Sequence, residues 1–91
     1  MTDVRDNPAL HRFEMDTEAG PAIVTYRRES GLLKLIHTEV PKAMEGHGVG
    51  SKLAKGVLDL IRARGETVVP LCDFMRAYIG RHPEYADLVV K

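Results

Sequence analysis

Three glycines at alternate positions, Gly46, Gly48 and Gly50, stand between an apolar β-type run and an amphipathic helical run, and this junction restricts the chain more than any other feature. Upstream, Leu32 to Val40 begins as nearly continuous apolar sequence, the pattern of a strand covered on both faces. It is expected to be the central strand, and Pro41 ends it. Downstream, Val49, Leu53, Val57, Leu60 and Ile61 recur at steps of three and four, while Lys52, Lys55, Asp59 and Arg62 fall on the other side. A helix is predicted from about Gly48 to Arg64, with Gly65 as a left-handed C-cap behind two arginines that suit the negative helix end.

Around this junction the remaining elements follow from local pattern. Residues 1–10 are polar, include Pro8 and show no period, so they are expected as a flexible lead-in or a short edge extension. His11 to Thr17 alternates around Phe13 and Met15. Gly20-Pro21 breaks that run before Ala22 to Tyr26 resumes it, which predicts a hairpin. Thr67 to Leu71 is a short β-prone run separated from the central strand by the helix, so a right-handed crossover into parallel pairing is expected. Asp73 then N-caps a second helix using Phe74, Met75, Tyr78 and Ile79, ending near Gly80 and followed by Pro83 and a final short segment over 87–90. The order is β-β-β-α-β-α, an α/β (α+β) layer architecture built as one domain over residues 11–91.

Charge and cysteine usage narrow the partners. Thirteen basic residues balance thirteen acidic ones, so no positive excess favours a phosphate backbone and no nucleic acid is expected. With Cys72 as the single cysteine, an internal disulfide and a thiol-rich zinc site are excluded, and a reducing interior fits. The N-terminus lacks the apolar run of a signal peptide, and no stretch of about 18 apolar residues occurs. A cytoplasmic protein with no membrane partner, monomeric or weakly dimeric, is expected.

Glycine between a strand and a helix lets the backbone approach a ligand and aim several N–H groups at one place, and the helix N-terminus adds partial positive charge. The spacing therefore suits a pyrophosphate. A P-loop count from Gly46 puts Ser51 at the second glycine and Leu53 at the hydroxyl position, and the dinucleotide fingerprint lacks its third glycine, which Ser51 or Leu53 occupies. A tight turn without a ligand is the alternative reading.

The segment Glu45-Gly46-His47-Gly48-Val49-Gly50 resembles the Arg/Gln-x-x-Gly-x-Gly/Ala signature of the GNAT superfamily of acetyltransferases. More narrowly, the chain resembles the short, one-domain YjdJ-like branch, which shares His-Thr-x-Val before the loop, here His37-Thr38-Glu39-Val40, and Pro-x-Cys after the next strand, here Pro70-Leu71-Cys72. The resemblance implies a GNAT-like fold with a mixed, mostly antiparallel sheet and two main helices. It also implies that Gly46, His47, Gly48, Val49, Gly50, Ser51 and Lys52 hold the pyrophosphate of coenzyme A, with the pantetheine along Thr38, Glu39 and Val40. Glu45 stands where the superfamily prefers a basic or amide side chain; Lys42, Lys52 and Lys55 are candidate compensating charges, with ordinary solvated lysines as the bland reading. The implied activity is transfer of an acetyl group from acetyl-coenzyme A to an unidentified amine. The alternative is a non-catalytic module that binds coenzyme A or a protein partner.

Acetyl transfer needs a deprotonated amine, and a lysine-like amine with pKa about 10.4 is almost wholly protonated at neutral pH, so a base or relay is required. His37 and Glu39 are two apart on a strand and share a face, where an imidazole can take the proton and a carboxylate can orient it; a satisfied structural histidine is the bland reading. Cys72 follows a strand and precedes a helix N-terminus, a position that favours a thiolate; a buried structural cysteine is the bland reading. His37 and Cys72 are thus the candidate catalytic residues. Tyr78 matches loosely the place of a leaving-group acid, with packing as its other role. His11 and His82 have no evident partner, and the spacing of histidines and cysteine suggests no metal site.

Overall fold

A computed structural model describes residues 3–90. Its strands are β1 (Val4–Asn7), β2 (Arg12–Thr17), β3 (Gly20–Glu29), β4 (Leu32–Glu39) and β5 (Val68–Pro70); its helices are α1 (Val49–Ala63) and α2 (Asp73–Arg81). Short 3-10 turns occupy Pro8–Leu10, Lys42–Met44 and Pro83–Leu88. The strands form one sheet in the order β1-β2-β3-β4-β5, antiparallel except for the parallel β4/β5 pair that α1 crosses over to make. No helix among the described residues is long and apolar enough to cross a membrane.

Alternation decides which sheet face is covered. Phe13 and Met15 of β2, Ala22, Val24 and Tyr26 of β3, and Leu33 and Leu35 of β4 point to one face, where they join Leu53, Ala54, Val57, Leu58 and Ile61 of α1 and Met75, Tyr78 and Ile79 of α2 in one cluster. Each such aliphatic or aromatic side chain, taken fully out of water, contributes about 1.5–3 kcal/mol before entropy is charged against it. Helix α1 ends in a Schellman arrangement: Gly65, at φ +69, donates its N–H to the Arg62 carbonyl, and Glu66 donates to Ile61.

Two expectations change and one pair of alternatives is decided. Val4–Asn7 form the short edge extension rather than a flexible lead-in, because Asp6 accepts the Tyr26 hydroxyl at 2.6 Å and Arg64 at 2.8 Å and so ties β1 to both the sheet and α1. Residues 1 and 2 of that lead-in lie outside the described residues. Strand β4 is fourth of five rather than central, and it is covered on one face only: Ile36 and His37 are exposed. Asp73 is the first residue of α2 and Cys72 occupies its N-cap position; the Asp73 carboxylate turns outward to Arg76.

Among the described residues no helix covers the second sheet face, and on β1 and β2 it carries a polar network instead. Glu14, 5% exposed, accepts hydrogen bonds from Arg5 at 2.8 Å, Asn7 at 2.9 Å and Arg12 at 2.6 Å. The Arg12 bond, followed by that of Asn7, holds the Glu14 carboxyl below its ordinary value of 4.5. A carboxyl whose folded pKa is depressed contributes stability that is full above the unfolded value and is lost as pH falls through the folded one. Thermal unfolding followed downward through pH 4.5 is therefore expected to show a steeper loss of Tm for the native protein than for Glu14→Gln.

Candidate functional site

The site begins with a slip in register. Thr25 pairs with His37 but Tyr26 pairs with Leu35, so Ile36 is the extra residue of a β-bulge. Before the bulge Leu33 and Leu35 face the helices; after it the phase is reversed. Thr38, paired with Val24, faces the helices, and His37 and Glu39, paired with Thr25 and Ile23, face the open side.

At the same place β4 loses its neighbour. Parallel pairing with β5 stops at Leu35 opposite Pro70, and both Leu71 and Cys72 donate their N–H groups to the single Leu35 carbonyl, at 3.0 and 2.9 Å. Beyond Leu35 the two segments diverge, β4 continuing to Glu39 while the chain after β5 turns into α2. A contact between the Thr38 hydroxyl and the Cys72 thiol, 3.1 Å apart, spans the opening.

The glycine turn closes one end of it. Gly46 and Gly48 sit at φ +84 and +75, a left-handed conformation costly for other residues. Lys52 makes the first backbone bond of α1, to the Gly48 carbonyl at 3.2 Å, so the N–H groups of Val49, Gly50 and Ser51 precede the helical ladder. Gly48 offers no side-chain cap to them, and the first turn of α1 contains no acid. These amides open on a cleft of about 380 Å³ walled by Glu45, Gly46 and the run Gly48 to Ser51, by Thr38 and Val40, and by Phe74. Gly50 serves a different end: a Cβ there would meet the Phe74 Cζ at 2.8 Å, so the glycine lets that ring lie against the helix start. The donor set of unbonded amides at a helix start, on a wall without side chains, fits a pyrophosphate.

Seven of the residues assigned to coenzyme A from the sequence, Thr38, Val40, Gly46, Gly48, Val49, Gly50 and Ser51, line this cleft. Three stand outside it. His47 is exposed, Lys52 lines a neighbouring groove with Met15 and Asp16, and Glu39 lies on the open face of the sheet. Lys55 is held by Asp59 at 2.8 Å rather than facing the turn.

Cys72 and His37, far apart in sequence, come together on a second cleft of about 370 Å³ that also includes Thr38 and Phe74. Cys72 is buried at 7% exposure; the His37 side chain is 61% exposed, with its Nε2 3.6 Å from Glu39 Oε1. Tyr78 lies elsewhere: its ring stacks on His82 at 3.9 Å and packs near Tyr85, and burial raises its pKa. It lines neither cleft and serves the core. Among the described residues no three His, Cys, Asp or Glu side chains gather as a metal set.

Phe74, Met44, Ile36 and Leu71 line the clefts without having been singled out from the sequence. For Phe74 the signal was Gly50: a glycine within the first turn of an amphipathic helix can mark a close approach by another side chain.

A strand that parts from its parallel neighbour, a thiol at the opening and an amide-lined turn at its end thus lie within one continuous stretch of structure. A family model described as GCN5-related N-acetyl-transferase matches residues 12–88, from the first residue of β2 to the end of the last 3-10 turn. The chain belongs to the GCN5-related N-acetyltransferase family, whose domain supports acetyltransferase-type function.

Proposed function

We propose that the protein moves an acetyl group from acetyl-coenzyme A to an amine. The observation that carries this reading is the set of unbonded N–H groups at the start of α1 facing a cleft that runs on, through Thr38, to Cys72 and His37. When bound, the co-substrate supplies an activated acetyl thioester. The protein's part is to hold the pyrophosphate at Gly46 to Ser51, to line the path with Thr38 and Val40, and to receive a proton from the amine. His37 is suited to that last role because it is accessible and the Glu39 carboxylate lies within reach of its ring. Cys72 is placed at the opening by two backbone constraints, the Leu35 carbonyl and the start of α2. Glu45 borders the cleft without an ion-pair partner among the described residues, and the cradle is made of main chain, so its charge does not remove the donors.

Titration with acetyl-coenzyme A, followed by backbone amide shifts, is expected to move Gly46 to Lys52. Addition of an amine is then expected to release free thiol. His37→Gln should flatten the acidic limb of the pH–rate profile, where a base must shed its own proton to act, and lower the rate by about 10²-fold, the usual worth of a positioned base. Cys72→Ala should lower transfer at unchanged acetyl-coenzyme A affinity. An unaltered pH profile removes His37 from the mechanism, and full transfer by Cys72→Ala removes the thiol. Binding without thiol release with any amine points to a coenzyme A-binding module.

A further inference from the structure

Large hydrophobic side chains exposed among the described residues are Leu10, which stands apart, and Ile36 and Leu71, which are 39% and 51% exposed and flank the same opening. Each is placed there by the backbone. Ile36 is the extra residue of the bulge, turned away from the face that Leu33 and Leu35 occupy. Leu71 is fixed beside it because its N–H donates to the Leu35 carbonyl at 3.0 Å. With Phe74 they give three apolar walls to the cleft of about 370 Å³ that Cys72 and His37 also line. Asp73 is the one acid in that lining, and its carboxylate is already paired with Arg76. Thr38 lines both this cleft and the amide-lined one, so the two meet at that residue.

We propose that this cleft is the acceptor subsite and takes a primary amine carrying an apolar aryl or alkyl group in preference to a polyamine or a lysine-rich peptide. The inference deepens the acetyl-transfer reading and rests on it. Two physical effects act together. Apolar walls recover free energy from an apolar substituent, and they disfavour the charged ammonium, which raises the share of the neutral amine that attacks. A second cationic group would need an unpaired carboxylate, which the lining does not offer. In the reaction the amine nitrogen bonds to the acetyl carbon as the C–S bond breaks. Coenzyme A departs with the electron pair as its thiolate, and the proton shed by nitrogen passes to His37 or to water.

The test compares 2-phenylethylamine with putrescine as acceptors, using thiol release as the readout, in the native protein and in the surface variants Leu71→Ser and Ile36→Thr. The native protein is expected to favour phenylethylamine by about tenfold or more in kcat/KM, the scale at which an apolar pocket discriminates. Each variant should reduce that preference several-fold through a higher KM for phenylethylamine, with Tm confirming a folded chain. A preference for putrescine, or an equal effect of the variants on both amines, overturns the inference while amide shifts with acetyl-coenzyme A leave the acetyl-transfer reading standing. Absence of those shifts overturns both. A dimer in sedimentation that Leu71→Ser abolishes also overturns the inference, because the two side chains then face a second copy of the chain.

Discussion

Gly48→Val is expected to weaken acetyl-coenzyme A binding by about 100-fold or more while the chain still folds. Gly48 holds φ +75 as the N-cap of α1, and a β-branched residue is a genuine outlier in that region. The strain, about 1–2 kcal/mol, is relieved by re-aiming the peptide planes that present Val49, Gly50 and Ser51 to the cleft. Hydrogen bonds from an amide to a charged group are worth about 1.5–3 kcal/mol each, so two misaligned donors account for roughly 10²-fold. Calorimetric titration beside a urea unfolding curve checks both halves. Wild-type affinity in Gly48→Val would mean that the pyrophosphate is not held at this turn.

Phe13→Ala is expected to bring the protein close to its unfolding limit. Phe13 is fully buried in β2, opposite Val24 and with its ring centroid 5.0 Å from that of Tyr26, under α1. Removing a buried phenylalanine costs about 3–5 kcal/mol, and a domain's whole stability is roughly 0.05–0.15 kcal/mol per residue. On that scale the variant forfeits from about a fifth to all of what a chain of 91 residues has. Urea unfolding at ambient temperature is expected to show the midpoint falling steeply, with Phe13→Leu retaining most of it. A loss below about 1 kcal/mol would contradict the placement of Phe13 at the centre of the core.

What could be read from the sequence was what local period and turn chemistry encode. The helix after the glycines, its Gly65 terminus, the hairpin around Gly20 and the crossover into Thr67 to Leu71 were all legible, and the structure has them. Strand β1 was legible only as one of two alternatives, because Val4 is its only strongly apolar residue and its order comes from Asp6 reaching Tyr26 and Arg64, contacts across 20 and 58 residues of chain. The bulge at Ile36 was hidden for a related reason. An alternating pattern that slips by one residue reads as a continuous apolar run, which is why β4 looked covered on both faces. The glycine turn was legible as a strand-to-helix junction with glycine backbone at a helix start, but the directions of His47, Glu39 and Lys52 depend on loop geometry and on the reversed phase after the bulge. Cys72 and His37 were named separately, and only tertiary structure makes them neighbours.

Strand β5 is three residues long and held from both sides: Leu35 takes the amides that follow it, and on its other edge Val90 donates to the Val68 carbonyl at 2.9 Å. Arg62 fastens the approach to that outer edge by gripping Asp87 and the Glu84 carbonyl. The segment between α1 and α2 consequently has no spare chain with which to follow β4 any further. The opening thus begins where the main-chain pairing of β4 with this short strand ends. Divergence within such a domain can therefore exchange Ile36, Leu71 or Phe74 and alter what enters without closing the door, whereas inserting residues after Pro70 would remove the door itself.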